Sequence, residues 1–203
     1  MSNRESHKRP DAFVEVPTLS FVNYDSYEKK IASMGSRNLL EYHEITKSRL
    51  EISEYCLKLL LDNFDNDVAF VAGLTGFLVQ AKAALDSLCQ EINLFYRLSI
   101  GLGREYPTET EELTAPQNLL VLSRRNVVLT KLIVQELGAT NPWFATFKLL
   151  HASEGVHGHS RRLMSAGISP HNLEVGETKI PEFCAESLSK INRITEQCYD
   201  LMR

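Results

Sequence analysis

The strongest constraint on the fold is a continuous series of apolar residues in the middle of the chain. They recur three and four residues apart, at Val71, Leu74, Leu78, Ala81, Leu85, Leu88, Ile92 and Phe95. This spacing is typical of one face of an α-helix, which Phe70, Phe77 and Ala84 widen for contact with several neighbours. It predicts a helix from about Asp67 to Ile100, about 50 Å long. We expect Gly73 and Gly76 to mark close packing within it.

Caps and periodicity predict four further helices. They are residues 36–64, residues 114–137, a helix that begins at Asn141 and a helix that begins at Pro181. Ser36 is the expected N-cap of the first, and Thr114 with Gln117 has the spacing of a capping box. Asn141 is followed by Pro142, a pair typical of a helix start. The glycine-containing segments 101–112 and 167–176 are predicted to be loops.

These elements predict an all-α fold, an up-and-down bundle of four to five helices with a long central helix. With 203 residues and 43% hydrophobic content, the chain is long enough for one core. The bundle is expected to comprise residues 36–203. Residues 1–35 contain short alternating stretches interrupted by Pro10 and Pro17, which predict an extended N-terminal arm.

Composition favours a reducing compartment and no global attraction to nucleic acid. The four cysteines are widely spaced and form no C-x-x-C pair, so buried free thiols are expected. The polar, basic N-terminus lacks the apolar region of a secretory signal, and no apolar run is long enough to predict a membrane span. A net charge of −4 gives no overall pull toward RNA. We therefore expect a cytoplasmic protein without membrane association.

A cluster of histidines is the clearest candidate for chemistry. His151, His157 and His159 lie within nine residues and precede Arg161 and Arg162. Imidazole can act as a general acid or base near neutral pH, and arginine can hold a phosphate. A metal site would add Glu154, but no cysteine or second carboxylate cluster completes a ligand set. We therefore expect no metal and no other cofactor.

Two segments resemble the HEPN superfamily of helical bundles, especially its bacterial members of unassigned function. One is KAALDSLCQEINLFY, residues 82–96, and the other is the helix led by Trp143 that approaches the histidines. The resemblance covers about residues 40–203 and implies a homodimer. In active members, an arginine and a histidine with four to six residues between them cleave RNA without metal at the dimer interface.

The resemblance places His157 at the motif histidine, whereas His151 stands where the family has arginine. Ala152 stands where a polar residue commonly follows that arginine. Histidine lacks the bidentate fork with which arginine holds phosphate, so a catalytically degenerate motif is expected. A literal match, Arg37 to His43, lies at the start of the first helix. We interpret it as a chance match, with Arg37 on the surface and His43 half-buried.

Asp86 and Asn93 lie seven residues apart on one side of the central helix. They are predicted either to line a polar cleft near His157, and so contribute to substrate binding, or to face solvent.

The functional hypothesis is a HEPN-like homodimer that binds RNA, or a weak metal-independent ribonuclease, in a bacterial defence or toxin–antitoxin setting. We favour the form of this hypothesis in which the protein has lost catalytic activity. If cleavage occurs, His157 would act as acid or base, and His151 with Arg161 or Arg162 would stabilise the phosphate. The alternative is a non-catalytic structural or regulatory module that binds a protein partner.

Overall fold

The computed structural model describes residues 24–63, 66–101, 109–156 and 174–203, with the backbone alone for 154–156. Within these ranges nearly all regular structure is helical, and the predicted all-α bundle is confirmed. The helices are α1 (Asp25–Ser33), α2 (Arg37–Asp62), α3 (Asp67–Tyr96), α4 (Thr110–Leu113), α5 (Pro116–Ser123), α6 (Val127–Leu137), α7 (Pro142–Leu150) and α8 (Ile180–Leu201). A π-helical turn, His151–Val156, follows α7, and two short strands, β1 (Glu174–Val175) and β2 (Thr178–Lys179), precede α8.

Side-chain contacts with the backbone stabilise both ends of the long central helix α3. The side chain of Asn66 accepts hydrogen bonds from the amides of Val68 and Ala69. Arg97 adopts a left-handed conformation with φ 52°, which ends the helix four residues before the predicted Ile100. The Asn93 side chain binds both the amide nitrogen (3.1 Å) and the carbonyl oxygen (3.0 Å) of Ile100. This pair of contacts holds the segment after α3 against the helix end.

Helices α2 and α3 form the most extensive interface within the described residues. They are connected by only a few residues and therefore pack as an antiparallel pair. Their backbones approach closely at Gly73, where a Cβ atom would lie 2.6 Å from the amide nitrogen of Leu60. A Cβ atom at Gly76 would lie 2.7 Å from Sγ of Cys56. The predicted reason for these two glycines is thus confirmed.

Helix α8 packs against both α2 and α3 and completes the core. Its buried residues follow helical spacing and include Leu188, Ile191, Ile194, Cys198 and Tyr199. Trp143 of α7 donates a hydrogen bond of 2.9 Å from its indole nitrogen to Oγ of Ser187. The C-terminal helix therefore joins the central pair to the segment that carries the histidine cluster.

By length and composition α3 could also cross a membrane, since its most apolar window has a mean hydropathy of 1.6. Half of that window is buried inside the bundle. Such burial is typical of the core helix of a soluble protein.

The structure corrects the predicted extended arm where residues of that arm are described. Asp25–Ser33 is helical, because Tyr27 and Ile31, four residues apart, are fully buried on one side of α1. The interpretation of residues 1–35 as extended is therefore wrong for this stretch. Residues 1–23 lie outside the described ranges.

The predicted helix over residues 114–137 is two helices. Asn126 interrupts it, because its side chain accepts a hydrogen bond of 2.9 Å from the amide of Leu129 and so caps α6. The predicted capping box is also wrong. The Thr114 hydroxyl donates back to the carbonyl of Thr110, and Ala115 occupies the N-cap of α5 without a side-chain cap. Short elements also occupy parts of the two predicted loops, α4 in one and β1 in the other.

Candidate functional site

The predicted site residues fall into two groups. His157, Arg161 and Arg162 lie outside the described residues, as does His159. His151, Asp86 and Asn93 have described positions. The described part of the candidate site consists of the second group and its neighbours.

His151 and Asp86 line one cleft of about 510 Å³ at the junction of α3, α4 and the end of α7. Its other lining residues are Val79, Lys82, Ala83, Glu109, Glu111, Lys148 and Ala152. His151 begins the π-helical turn that follows α7. π-helical turns inside helical segments are frequent at functional sites, which supports the choice of this cleft as the candidate site. The structure thus brings together two residues that are 65 positions apart in the sequence.

Asp86 is engaged in the wall of the cleft. Its two carboxylate oxygens accept hydrogen bonds of 2.8 and 2.9 Å from Nζ of Lys82. Oδ1 also accepts from the amide nitrogen (2.9 Å) and from the hydroxyl (2.8 Å) of Thr110, the first residue of α4. Asp86 therefore anchors α4 to α3, and most of its hydrogen-bonding capacity is used within the protein.

The lysines of the cleft are paired with carboxylates. Nζ of Lys82 lies 3.3 Å from Glu111, and Nζ of Lys148 lies 3.5 Å from the same carboxylate. Burial lowers the pKa of Lys82, but Asp86 and Glu111 outweigh burial and leave that pKa above its ordinary value. With Glu109 at the rim, three carboxylates face two ammonium groups. The described part of the cleft therefore offers no excess of positive charge to a phosphate.

His151 is half-buried at the edge of this charged group. Burial, together with the nearby Lys82 ammonium, lowers the pKa of the imidazole below its ordinary value of 6.5. The lowered pKa therefore favours the neutral imidazole. A neutral imidazole can exchange a proton or donate one hydrogen bond, but it cannot replace the permanent charge of an arginine.

Asn93 has a structural position at the end of α3 and is absent from the lining of this cleft. The structure therefore brings Asp86, but not Asn93, to the side of His151.

A second polar cluster lies in the core, and the sequence did not predict it. His43 is fully buried, not half-buried as expected. Its Nδ1 lies 3.3 Å from Oε2 of Glu91 and 3.2 Å from the hydroxyl of Tyr199, and its Nε2 lies 3.3 Å from Oε1 of Glu28. The Thr46 hydroxyl donates a hydrogen bond to Oε1 of Glu91. The cluster therefore joins α1, α2, α3 and α8.

Aromatic rings close this cluster from solvent. The rings of Tyr27 and Tyr199 stack with their centroids 4.3 Å apart, and His43 packs edge-on against both. Burial is the larger cause and the nearby Glu91 carboxylate the second cause that raise the pKa of Tyr199 well above its ordinary value. The hydroxyl therefore keeps its proton and acts as a donor. The sequence signal for this cluster is a polar residue, Glu91, at a position between Leu88 and Ile92 that helical spacing makes buried.

The Arg37 to His43 match does not form a site. Arg37 is exposed at the start of α2, as predicted, whereas His43 is enclosed in the core. The two side chains therefore cannot act together on one substrate in this conformation.

Glu28, His43 and Glu44 offer ligand atoms that lie within 4.8 Å of one another. Lys47 already binds this group, since its Nζ lies 2.8 Å from Glu28 and 4.0 Å from Glu44. An ammonium group thus supplies the positive charge that a metal ion would bring. We interpret this group as the polar edge of the core cluster.

No protein-family model matches the sequence, and neither a curated protein nor a solved structure is significantly similar to the chain.

Proposed function

We propose that the protein is a HEPN-like helical module that does not cleave RNA and acts by binding a protein partner. It is expected to work as a homodimer in the bacterial cytoplasm, in a defence or toxin–antitoxin setting. The resemblance of residues 82–96 and of the Trp143 helix to the superfamily motivates the family. Fold-level analogy alone would not decide between cleavage and binding.

The observation that carries the proposal is the state of His151. By the resemblance, this residue stands where the superfamily has its catalytic arginine, and burial and Lys82 lower its pKa, which disfavours the charged form that could replace an arginine. Among the described residues that line the cleft, the cations Lys82 and Lys148 are both paired with Glu111. Stabilisation of the charge that develops on a phosphate needs a permanent, available positive group at this place.

The test is a restoration of the missing arginine. Purified wild-type protein and the His151→Arg variant are incubated with labelled single-stranded RNA in the presence of EDTA. We expect no cleavage by the wild-type protein beyond that of His157→Ala. We expect His151→Arg to cleave RNA, because arginine supplies the charge and the fork that histidine lacks. The double variant His151→Arg with His157→Ala should lose that activity.

His151→Gln is the matched control, because it keeps a polar side chain without adding a charge. Circular dichroism spectra of all variants check that the helical fold is retained. Cleavage by the wild-type protein that disappears in His157→Ala would show an active ribonuclease and overturn the proposal. Absence of any gain in a folded His151→Arg variant would remove the support for a HEPN-like site.

A second candidate function, RNA binding in the cleft, is favoured by the cavity itself. The π-helical turn that His151 begins leads directly into the sequence that contains His157 and Arg161. The cleft also exceeds the size of an ordinary packing gap. Fluorescence anisotropy with labelled RNA distinguishes the candidates: binding that weakens in Ala152→Trp, a variant that fills the cleft, would favour RNA over a protein partner.

A further inference from the structure

An exposed surface on α5 and α6 combines apolar and basic side chains. We call it the α5–α6 face; it comprises the last turn of α5, the connecting residues and one side of α6. Its apolar side chains are between 39% and 60% exposed: Leu120, Val121, Val127, Val128 and Val134. An apolar group of this kind, interspersed with charges, is typical of an interaction surface.

The charge of this face is positive, although the chain is acidic overall. Arg124, Arg125 and Lys131 are exposed, and residues 116–135 contain no aspartate or glutamate. None of the three cations forms an ion pair with a carboxylate in the described part of the chain. The face therefore carries a charge of +3 on a chain whose net charge is −4. Electrostatic complementarity favours an acidic occupant.

A second copy of the chain fits this face poorly. Lys131 lies one helical turn after Val127 and one turn before Val134, at the centre of the exposed side of α6. In a two-fold contact between antiparallel α6 helices, Lys131 would meet the same residue of the other copy, and two like charges would face each other. A head-to-tail contact with an acidic face of another copy would build rings or open chains of molecules, not the two-fold homodimer proposed above.

Lipid and RNA also fit poorly. Membrane-binding faces present tryptophan, phenylalanine or leucine, whereas four of the five apolar residues here are valines. RNA would use the three cations for phosphate contacts but would leave the valines without apolar partners. Valine side chains at helical spacing are well suited to packing against another helix.

We propose that the α5–α6 face binds an acidic amphipathic helix of a different protein. A carboxylate of that helix would pair with Lys131, and its apolar side chains would contact Val127, Val128 and Val134. Arg124 and Arg125 would pair with carboxylates at its edge. The inference rests on the proposed function as a partner-binding module and names the chemistry of the partner.

The experiment uses a phage-displayed library of random peptides, selected on the full-length wild-type protein with Lys131→Glu as the counter-selection. We expect enrichment of peptides that carry several acidic residues and apolar residues three and four apart. A synthetic enriched peptide should bind the wild-type protein in fluorescence anisotropy. Lys131→Glu should weaken that binding by about tenfold or more, and a lysine-for-glutamate version of the peptide should recover binding to Lys131→Glu.

Val128→Asp is a second variant that should weaken binding, and Lys58→Glu, an exposed lysine on α2, is the matched control that should not. Absence of enriched peptides, or equal binding to Lys131→Glu, would overturn the inference. Binding of phosphatidylserine vesicles or of a labelled RNA that is lost in Lys131→Glu would overturn it in favour of a membrane or RNA surface. RNA cleavage is measured separately, so failure of the proposed function is distinguishable from failure of this inference.

Discussion

The hydroxyl of Tyr199 in α8 donates a hydrogen bond of 3.0 Å to Oε1 of Glu91 in α3. The two residues are 108 positions apart, and both are fully buried. Glu91 also contacts His43 and Thr46 of α2. One carboxylate in the apolar core therefore connects three helices, and its environment supplies partners for both of its oxygens.

Loss of this carboxylate should destabilise the protein strongly. Glu91→Ala removes the carboxylate that accepts from Tyr199 and Thr46 and lies beside His43, and leaves a cavity in the core. Among the described residues, His43 and Tyr199 then have only each other and Glu28. Thr46 then has only the carbonyl of Tyr42. We expect a loss of about 3 kcal/mol or more in the free energy of unfolding, whereas Tyr199→Phe should cost about 1–2 kcal/mol. Urea denaturation followed by circular dichroism measures both. Glu54→Ala, which breaks the surface pair with Lys58, is the control and should change stability by less than about 0.5 kcal/mol.

The contribution of helix α1 to the free energy of unfolding should depend on pH, because Glu28 of this helix is stabilising in its ionised form. The hydrogen bond from Lys47 lowers the pKa of Glu28 below its ordinary value of 4.5, so the folded state favours the ionised carboxylate. This contribution is fully present above pH 4.5 and is lost as the pH falls through the lowered pKa. Because both side chains are partly exposed, the effect is small.

The melting temperature of Glu28→Gln should therefore lie slightly below that of the wild-type protein at pH 7. The gap should narrow as the pH falls below 4.5. Differential scanning fluorimetry from pH 7 to pH 3 gives the comparison. A difference in melting temperature that stays constant from pH 7 to pH 3 would show that the charge of Glu28 does not stabilise the fold.

The four cysteines should differ in reactivity. Burial raises the pKa of all four thiols, but Cys89, Cys184 and Cys198 are fully buried, whereas Cys56 is only half-buried. Iodoacetamide at pH 8 should therefore modify Cys56 first in the native protein, because the thiolate is the reactive form and must be accessible. Mass spectrometry of the digested protein locates the modification. In guanidinium chloride all four should react; modification of Cys89 at the rate of Cys56 in the native protein would contradict the buried position.

The elements that could be predicted from the sequence are those whose signal is local. The apolar spacing from Val71 to Phe95 is set by α3 alone, and it predicted that helix to within a few residues. The break at Asn126 was missed, because apolar residues continue at helical spacing on both sides of it. Only the structure shows that its side chain caps α6 and also donates to the Tyr96 hydroxyl and the Leu201 carbonyl.

In the candidate site, too, the features that depend on contacts between helices could not be predicted from the sequence. His151 and Asp86 line one cleft, whereas Asn93, which was predicted to lie beside Asp86, is absent from it. The predicted neighbour of both Asp86 and Asn93, His157, lies outside the described residues. The lowered pKa of His151 could not be predicted, because it depends on burial and on Lys82, which belongs to another helix. The core cluster of His43, Glu91 and Tyr199 has a local signal only in the buried position of Glu91. The sequence could not show which residues join it, because they come from other helices.

The packing of α2 against α3 gives the sharpest test of the fold. Gly73→Ala would place a methyl group 2.6 Å from the amide nitrogen of Leu60 and 2.9 Å from the carbonyl oxygen of Cys56, so the two helix backbones must separate. Gly76→Ala would instead meet the Cys56 side chain, at 2.7 Å from Sγ. Both variants should lower the urea concentration at the midpoint of unfolding. The free energy of unfolding should fall by about 1–3 kcal/mol.

Removal of the Cys56 side-chain sulfur separates the two cases. Cys56→Ala should restore much of the stability of Gly76→Ala, because the obstructing atom is then absent. The same substitution should not rescue Gly73→Ala, because the atoms that obstruct it belong to the backbone of α2. Urea denaturation of the single and double variants gives the two coupling energies. Equal rescue of both glycine variants would show that the helices do not approach each other most closely at Gly73.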